Sequence, residues 1–559
     1  MRCAKKILIN LNAKISDAIL LLEKTQEKLL ICIDSKKKFA GVLNDGDIRR
    51  ALIKGAKTNY KIKTYVKNNA LTVNEGTNYF DASKILSNNV LILPIINKFE
   101  EVVGYYSYED KLNSLTTTSK EILVVGVGYV GLTLSIVLSS VGFRVYGFDK
   151  NKKVILSLKK GETPFYEKGL KKYLDFNNHK NLIFTDNISK ISLNRVNTFI
   201  VSVGTPIKNN KKATLRSLES SILEISKILK KNDLIILRST IPVGCTRGNL
   251  VPILEKQSKL KVGSDFSIAY APERTAEGMA LEELKLNPQI IGGWDQLSVE
   301  RTANIFNNIT HSIIRVPNIE TAELCKLVDN SYRDHLFAFT NQFIPLCKKL
   351  NINLTNLVNY VNHGYDRNNI AKPSPGVGGP CLTKDPYILK EVFDKHKIKN
   401  KLLVNSRNTN ENVINFIYQR ISSYINNIKK NKKNIKIFFL GIAFKGHPET
   451  SDYRDSTSIL LLNKLKKIKK IKEIGIYDPV ISKKELKKID LKFFSINNGF
   501  KKADIVIFFN NHKSYLDLDI YKLISKMNKP SYFFDMWGQF DSFEIKKLKG
   551  VIYWGLGSE

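Results

Sequence analysis

Runs of apolar and polar positions divide the chain into four stretches. In the first, a β-rich run, a glycine and a helix-like stretch occur twice. Sliding the sequence by 63 residues brings residues 29–52 (LLICIDSKKKFAGVLNDGDIRRAL) over the stretch containing 91–112 (LILPIINKFEEVVGYYSYEDKL), with Gly41 on Gly104 and Asp47 on Asp110. Two β-β-α halves are expected, closed by a polar linker at 113–120 (NSLTTTSK). The second stretch opens with a strand at 122–125, apolar on both faces as in a buried parallel sheet, followed by a glycine-rich turn and a helix. Further β-α units, VNTFIVSVGTP and DLIILRST, extend a doubly wound sheet to about Pro317. Residues 321–351 lack glycine and carry apolar residues at helical spacing, interrupted only by Pro345, which predicts one long helix. A second strand-turn-helix pattern begins near Asn434 (NIKIFFLGIAFKG) and continues through EIGIYDP, ADIVIFFNNH and SYFFDMWG.

The chain has 559 residues, enough for three or four domains at about 150 residues each. The expected fold class is α/β: two Rossmann-like doubly wound domains joined by a long central helix, preceded by a small α+β domain. The expected boundaries are 1–117, 118–318, 319–420 and 421–559. A hydrophobic fraction of 43% with 25% charged residues is ordinary for packed domains and excludes disorder as the default. The formal net charge of +37 would ordinarily raise nucleic acid or an anionic membrane as partner. Its lysines are spread along the chain with no aromatic-basic module, so a solvated surface is expected, with no nucleic-acid and no membrane partner. The six cysteines lie far apart without CxxC pairs, which suits a reducing compartment and offers no metal site. No apolar run is long enough to span a bilayer, and the first residues lack a signal-peptide pattern, so a cytoplasmic protein is expected.

Chemistry concentrates in a few segments. Gly126, Gly128 and Gly131, between a buried strand and a helix opening at Tyr129 and Val130, supply a tight turn and free N–H groups for a dinucleotide pyrophosphate. Asp149, ending the next strand, is placed for ribose hydroxyls; a carboxylate there favours NAD over NADP. The segment PGVGGPCLTKDP (375–386) places Gly376, Gly378 and Gly379 just before Cys381. These glycines permit a loop folded tightly around a ligand. A nearby ammonium such as Lys384 is expected to lower the Cys381 pKa and make it a nucleophile. Asp385 before Pro386 also reads as a helix cap, a role compatible with catalysis. Glu323, Lys326 and Asn330 are three and four apart and share one helix face.

In order, the 126–131 turn, VSVGTP (201–206), RSTIPVG (238–244), APERTAEG (271–278), AELCKLVDNSYRD (322–334), PGVGGPC and GIAFKGHPETSDYRDS (441–456) resemble the UDP-glucose/GDP-mannose dehydrogenase family over nearly all of 121–559. The resemblance implies two oxidations of a sugar-nucleotide C6 alcohol by NAD, through a thiohemiacetal and a thioester on Cys381. Lys326 and Asn330 would stabilise oxyanions, Glu273 would act as acid/base, and Asp385 and Thr205 would position water. Thr205, Thr240, Glu277 and Arg454 would contact the cofactor. Glu273, Arg274, Lys326, Asn330, Arg333, Arg367, Gly376, Gly378, Phe444 and Lys445 would bind the sugar nucleotide. The spacing around Val377, the NSYRD segment and Arg274 look most like relatives that oxidise UDP-N-acetylhexosamines, UDP-N-acetylmannosamine in particular, for surface polysaccharides such as capsule or lipopolysaccharide. UDP-N-acetylglucosamine, UDP-glucose and GDP-mannose remain alternatives, as do a two-electron alcohol dehydrogenase and a regulatory nucleotide-binding protein without catalysis. The N-terminal repeat resembles a tandem CBS module, which implies an adenine nucleotide near Asp47, Ser107 and Asp110. The family resemblance further implies a homodimer or higher homo-oligomer paired through the central helix.

Overall fold

The structure is a computed structural model that describes residues 4–25, 27–77, 82, 85–86, 90–108, 120–177, 181–191, 196–208, 210–427 and 434–557. The expected linker at 113–120, apart from its last residue, and Asp110 lie outside the described residues. The chain forms two compact units, Met1–Thr118 and Ser119–Glu559.

In the N-terminal unit the sequence repeat is a structural one. Two three-stranded sheets each pair a short first strand in parallel with a hairpin, Leu29–Ile33 with Phe39–Asn44 in one and Ile92–Ile96 with Val102–Ser107 in the other. Register repeats with the sequence offset: Cys32 faces Gly41 as Ile95 faces Gly104, and each hairpin shifts register one residue later. The turns repeat too. Asp34 Oδ1 accepts from the Lys36 and Lys38 amides, and Asn97 Oδ1 accepts from Phe99 and Glu101, so a short acceptor side chain closes each turn. Asp47 is buried at the first turn of the helix Asp45–Ile53. There it completes a capping box with Asn44 and pairs with Arg50 and, at 3.2 Å, Lys67. Ser107 is buried at its strand's end.

The second unit holds two sheets. In the first, eight strands run in spatial order Ile313–Arg315, Gln289–Gly293, Ser267–Tyr270, Leu234–Leu237, Thr198–Val201, Glu121–Val125, Arg144–Phe148 and Leu182–Thr185. The ladder is parallel except where Gln289–Gly293 runs against Ser267–Tyr270. The chain winds outward from Glu121–Val125, then returns beside it as Thr198–Val201. This reversal opens a crevice at the strands' carboxyl ends, where ligands of such sheets bind. The second sheet has five parallel strands in the order Ile471–Tyr477, Ile435–Leu440, Ile505–Phe508, Ser531–Asp535 and Val551–Gly555. Both sheets carry apolar clusters on each face, which is why their central strands read as continuous apolar runs.

The central helix differs from the expected one. It runs from Ile319 to Asn341, with Asn318 capping the Thr321 amide, and a separate helix, Ile344–Lys349, follows. Pro345 decides the break: its ring would collide with the carbonyl four residues earlier, at Asn341, where the helix ends. A second long helix, Lys401–Asn427, packs on the first and crosses the boundary expected at 420. Its buried stripe (Val413, Ile414, Ile417, Ile421, Ile425) has helical spacing, diluted by asparagines on the exposed faces.

Candidate active site

The turn 126–131 meets the helix Tyr129–Ser140, whose N-cap is Gly128. A Cβ on Gly131 would stand 1.8 Å from the Gly126 carbonyl oxygen, so the turn closes only around hydrogen there. A Cβ on Gly128 would meet nothing within 4 Å. That open face lies where the helix presents unbonded N–H groups, and it fits a dinucleotide pyrophosphate. Asp149 follows the neighbouring strand; one of its oxygens accepts from the Val127 amide at 3.1 Å and the other from Asn151 at 2.9 Å. These bonds orient the carboxylate while leaving lone pairs for ribose hydroxyls. Thr205 and Thr240 follow neighbouring strands and meet directly, Thr205 Oγ1 donating to the Thr240 carbonyl at 2.5 Å. The Tyr129 hydroxyl is engaged by protein: it donates to buried Glu167, and Glu167 also accepts from the Gly278 and Ala280 amides at 2.6 and 2.8 Å. Burial first, then Glu167, pushes the Tyr129 phenol far above its usual range.

Cys381 is exposed to water, yet Asp385, Lys326, Lys384, Glu277 and Arg454 all lie within electrostatic reach of its sulfur. The expectation of a lowered thiol pKa is corrected. Lys326 and Lys384 do pull it down, but crowding by protein and the Asp385 carboxylate outweigh them, and the thiol is raised. The Lys384 ammonium is paired with Asp385 at 2.5 Å, and that carboxylate offsets its field at the sulfur. Asp385 is fully buried at the start of the helix Asp385–Lys395 and accepts a second bond from the Asn330 amide. Lys326 is buried one helical turn before Asn330, and its ammonium makes no hydrogen bond among the described residues.

Glu273 completes the group. It is buried, paired with Arg238, and accepts from the Arg274 and Thr275 amides, each at 2.8 Å. Burial alone would raise its carboxyl; Arg238, and behind it Lys326, more than offset that and hold it below the usual carboxylate range. Arg238, a residue the sequence reading left without a role, is itself fixed by the Ala271 carbonyl and Gln289 at 3.1 and 2.9 Å. The signal available was an arginine ending a buried strand, where an unpaired cation would be prohibitive.

The two sheets face each other across this cleft. Lys445 donates to the Glu277 carbonyl at 2.7 Å, and Thr450 to its carboxylate at 3.1 Å. Arg454 approaches that carboxylate at 3.8 Å while held by Asp452. Burial and Asp452 push the Glu277 carboxyl up to about 7. The glycines before Cys381 serve packing: a Cβ on Gly376, Gly378 or Gly379 would strike the Asn410 carbonyl, the Asp455 carbonyl or the Phe444 ring at 2.7–2.8 Å. The close approach that these three glycines allow in the structure is to the protein itself. Arg274 and Arg333 converge on Asp329 at 3.3 and 3.9 Å, and Arg333 also donates to Asn330 at 2.7 Å. Glu323 faces elsewhere, accepting from the Gly244 and Thr246 amides, a structural role. Arg367 is exposed over the Tyr365 ring and joins none of these residues.

The sequence matches the UDP-glucose/GDP-mannose dehydrogenase family over three consecutive stretches: its NAD binding domain at 120–310, central domain at 320–412 and UDP binding domain at 438–542. It is 32% identical over 417 residues to a UDP-N-acetyl-D-mannosamine dehydrogenase of Campylobacter jejuni, covering 72% of this chain and 98% of that protein. A Methanocaldococcus jannaschii protein of the same name is 32% identical, with 72% and 87% covered. Among solved structures, the UDP-D-ManNAc dehydrogenase of Pyrococcus horikoshii superposes with a TM-score of 0.69 at 28% identity, covering 78% of this chain and 99% of that one.

Proposed function

The chain belongs to the UDP-glucose/GDP-mannose dehydrogenase family of NAD-dependent nucleotide-sugar dehydrogenases, and we propose that it oxidises C6 of UDP-N-acetyl-D-mannosamine to the carboxylate through a thioester on Cys381. The observation that carries this reading is the meeting of an accessible thiol with a buried ammonium, Lys326, that makes no hydrogen bond among the described residues, and a carboxylate held ionised, Glu273. A simple two-electron alcohol oxidation has no use for the thiol. The open face of Gly128 would take the pyrophosphate of NAD and Asp149 its adenosine ribose, and the cofactor would supply the acceptor for each of the two hydrides.

The chain's own groups account for the remaining steps. Lys326 is the donor for oxyanions that form when Cys381 adds to the C6 aldehyde and when water adds to the thioester. Glu273 is ionised at neutral pH and takes the proton of the attacking water. Thr205, whose hydrogen is committed to Thr240, offers lone pairs to that water, and Asp385 holds Asn330 and Lys384 around it. Phe444 and Lys445 face the sugar nucleotide from the second sheet. Arg274 and Arg333, gathered by Asp329 beside Asn330, supply donors to the hexosamine. The Campylobacter jejuni and Methanocaldococcus jannaschii relatives carry the name of the mannosamine enzyme, which supports that sugar over UDP-glucose, UDP-N-acetylglucosamine or GDP-mannose.

The reading extends to assembly and control. Leu324, Val328 and Tyr332 form an exposed apolar stripe along the central helix, which supports pairing with a second copy. The repeated register of residues 1–117 supports a tandem CBS-like regulatory module for an adenine nucleotide, although the Asp47 carboxylate is already engaged by Arg50 and Lys67. The test is a UDP-sugar panel with NAD, with and without ATP or AMP. Two NADH per carboxylate and the highest kcat/KM for UDP-N-acetyl-D-mannosamine are expected. One NADH per sugar rejects the thioester, and preference for UDP-glucose rejects the hexosamine.

A further inference from the structure

A thioester route needs its sulfur placed to within about half an ångström of the reacting carbon, and loops alone do not hold atoms that well. The loop carrying Cys381 is tied down by a buried polar network that none of the roles above uses. Asp334, Asn341, Ser374, Arg407 and Asn410 are all almost completely buried. Before the thiol, the Ser374 amide donates to Asn341 Oδ1 at 3.0 Å, and Asn341 Nδ2 donates to Asn410 Oδ1 at 3.0 Å and to Ser374 Oγ at 3.2 Å. Asn410 Nδ2 passes the chain on to the Asp334 carbonyl and carboxylate, each at 2.8 Å. After the thiol, Arg407 Nη1 spans the gap, donating to Asp334 Oδ1 at 2.6 Å and to the Leu382 carbonyl at 3.4 Å, one residue beyond Cys381.

Asp334 lies one helical turn beyond Asn330 and two beyond Lys326 on the same central helix. We propose that Arg407 is a positioning residue that fixes the thiol loop in register with Lys326 and Asn330. The inference rests on the reading of Cys381 as nucleophile.

The energetics favour a positioning role over a purely stabilising one. Burying an ion pair costs more than filling the same space with apolar side chains, and this pair leaves Arg407 Nε and Asp334 Oδ2 without hydrogen-bond partners among the described residues. Helix packing alone would be served better by leucines. What an apolar replacement cannot do is reach the backbone carbonyl beside Cys381.

Two variants test this. Arg407→Lys keeps the cation but loses the rigid planar guanidinium, whose Nη1 bridges Asp334 and Leu382 while Nη2 is held by Glu411 at 3.3 Å. Arg407→Gln with Asp334→Asn removes both buried charges together, so folding is retained while the bridge to Leu382 is lost. In both, kcat is expected to fall about 100-fold, the scale of a misplacement near 1 Å, with KM for the UDP-sugar within about threefold of the parent. The pH midpoint of Cys381 alkylation by iodoacetamide is expected to move down, as the loosened thiol leaves the crowding that raises it. The double variant with parental melting temperature, kcat and alkylation midpoint would overturn the proposal; so would loss of kcat only in proportion to lost stability. Acid formation by Cys381→Ser would instead sink the nucleophile reading, so the two failures are separable.

Discussion

The pair Arg238–Glu273 offers the sharpest quantitative test of the site. Its side chains are 1% and 8% exposed. Removing one partner of such a pair costs about 3–5 kcal/mol, because the other is left as an uncompensated buried charge. For Arg238→Met that corresponds to roughly 10 °C in melting temperature, at about 2–4 °C per kcal/mol for a domain near 200 residues. The pH dependence fixes the cause. In the parent, Glu273 titrates below its unfolded value of 4.5, so the pair's stability is fully present above pH 4.5 and is lost as pH falls through the folded value. Without Arg238 burial dominates and the carboxyl rises above 4.5. The sign then reverses, and stability is lost as pH rises through the new value. The melting-temperature gap between parent and variant is therefore expected to be large at pH 8 and to narrow toward pH 5. The acid limb of the kcat profile, which reports the ionised base, is expected to shift to higher pH. Differential scanning fluorimetry across pH and stopped-assay pH profiles measure both. A gap independent of pH, with an unmoved acid limb, would refute the claim that Arg238 acts by holding Glu273 ionised.

Other outcomes follow from the same geometry. Gly128→Ala is expected to change melting by less than about 1 kcal/mol, because its Cβ enters open space, yet to weaken NAD binding at least tenfold in calorimetry; Gly131→Ala, facing a carbonyl at 1.8 Å, is expected to disrupt the fold itself. Lys326→Met is expected to lower kcat 100- to 1,000-fold while leaving thermal stability equal or higher, since its ammonium has no hydrogen-bond partner among the described residues. Glu277→Gln is expected to raise the melting temperature at pH 8 and leave it unchanged near pH 4: the native carboxyl titrates near 7, above its unfolded value, so its ionisation costs stability as pH rises through that interval, up to about 3 kcal/mol.

Much of the fold was legible because parallel strands buried on both faces carry continuous apolar runs, as in the ILVV of Glu121–Val125 and the IFFL of Ile435–Leu440. The helix Lys401–Asn427 was harder to read, since its apolar stripe sits among asparagines and its partner helix is about 60–80 residues earlier in the chain. The break after Asn341 was written in Pro345 and underweighted. At the site, the glycines before Cys381 were visible as requirements for close approach, but what approaches them was not.

The sequence alone determined which chemical groups are present and their local frames: the glycine turn with its helix, the cysteine preceding an Asp-Pro helix start, and the lysine and asparagine one turn apart. These depend on neighbours within a few residues. Only tertiary structure decided their ionisation and order. Glu273 stays charged because Arg238 from another strand end lies against it, Asp385 is fixed because Asn330 of the central helix donates to it, and the thiol is raised because crowding by protein outweighs the pull of Lys326. Electrostatic energies depend on distance and burial in space, and a linear order of residues carries neither.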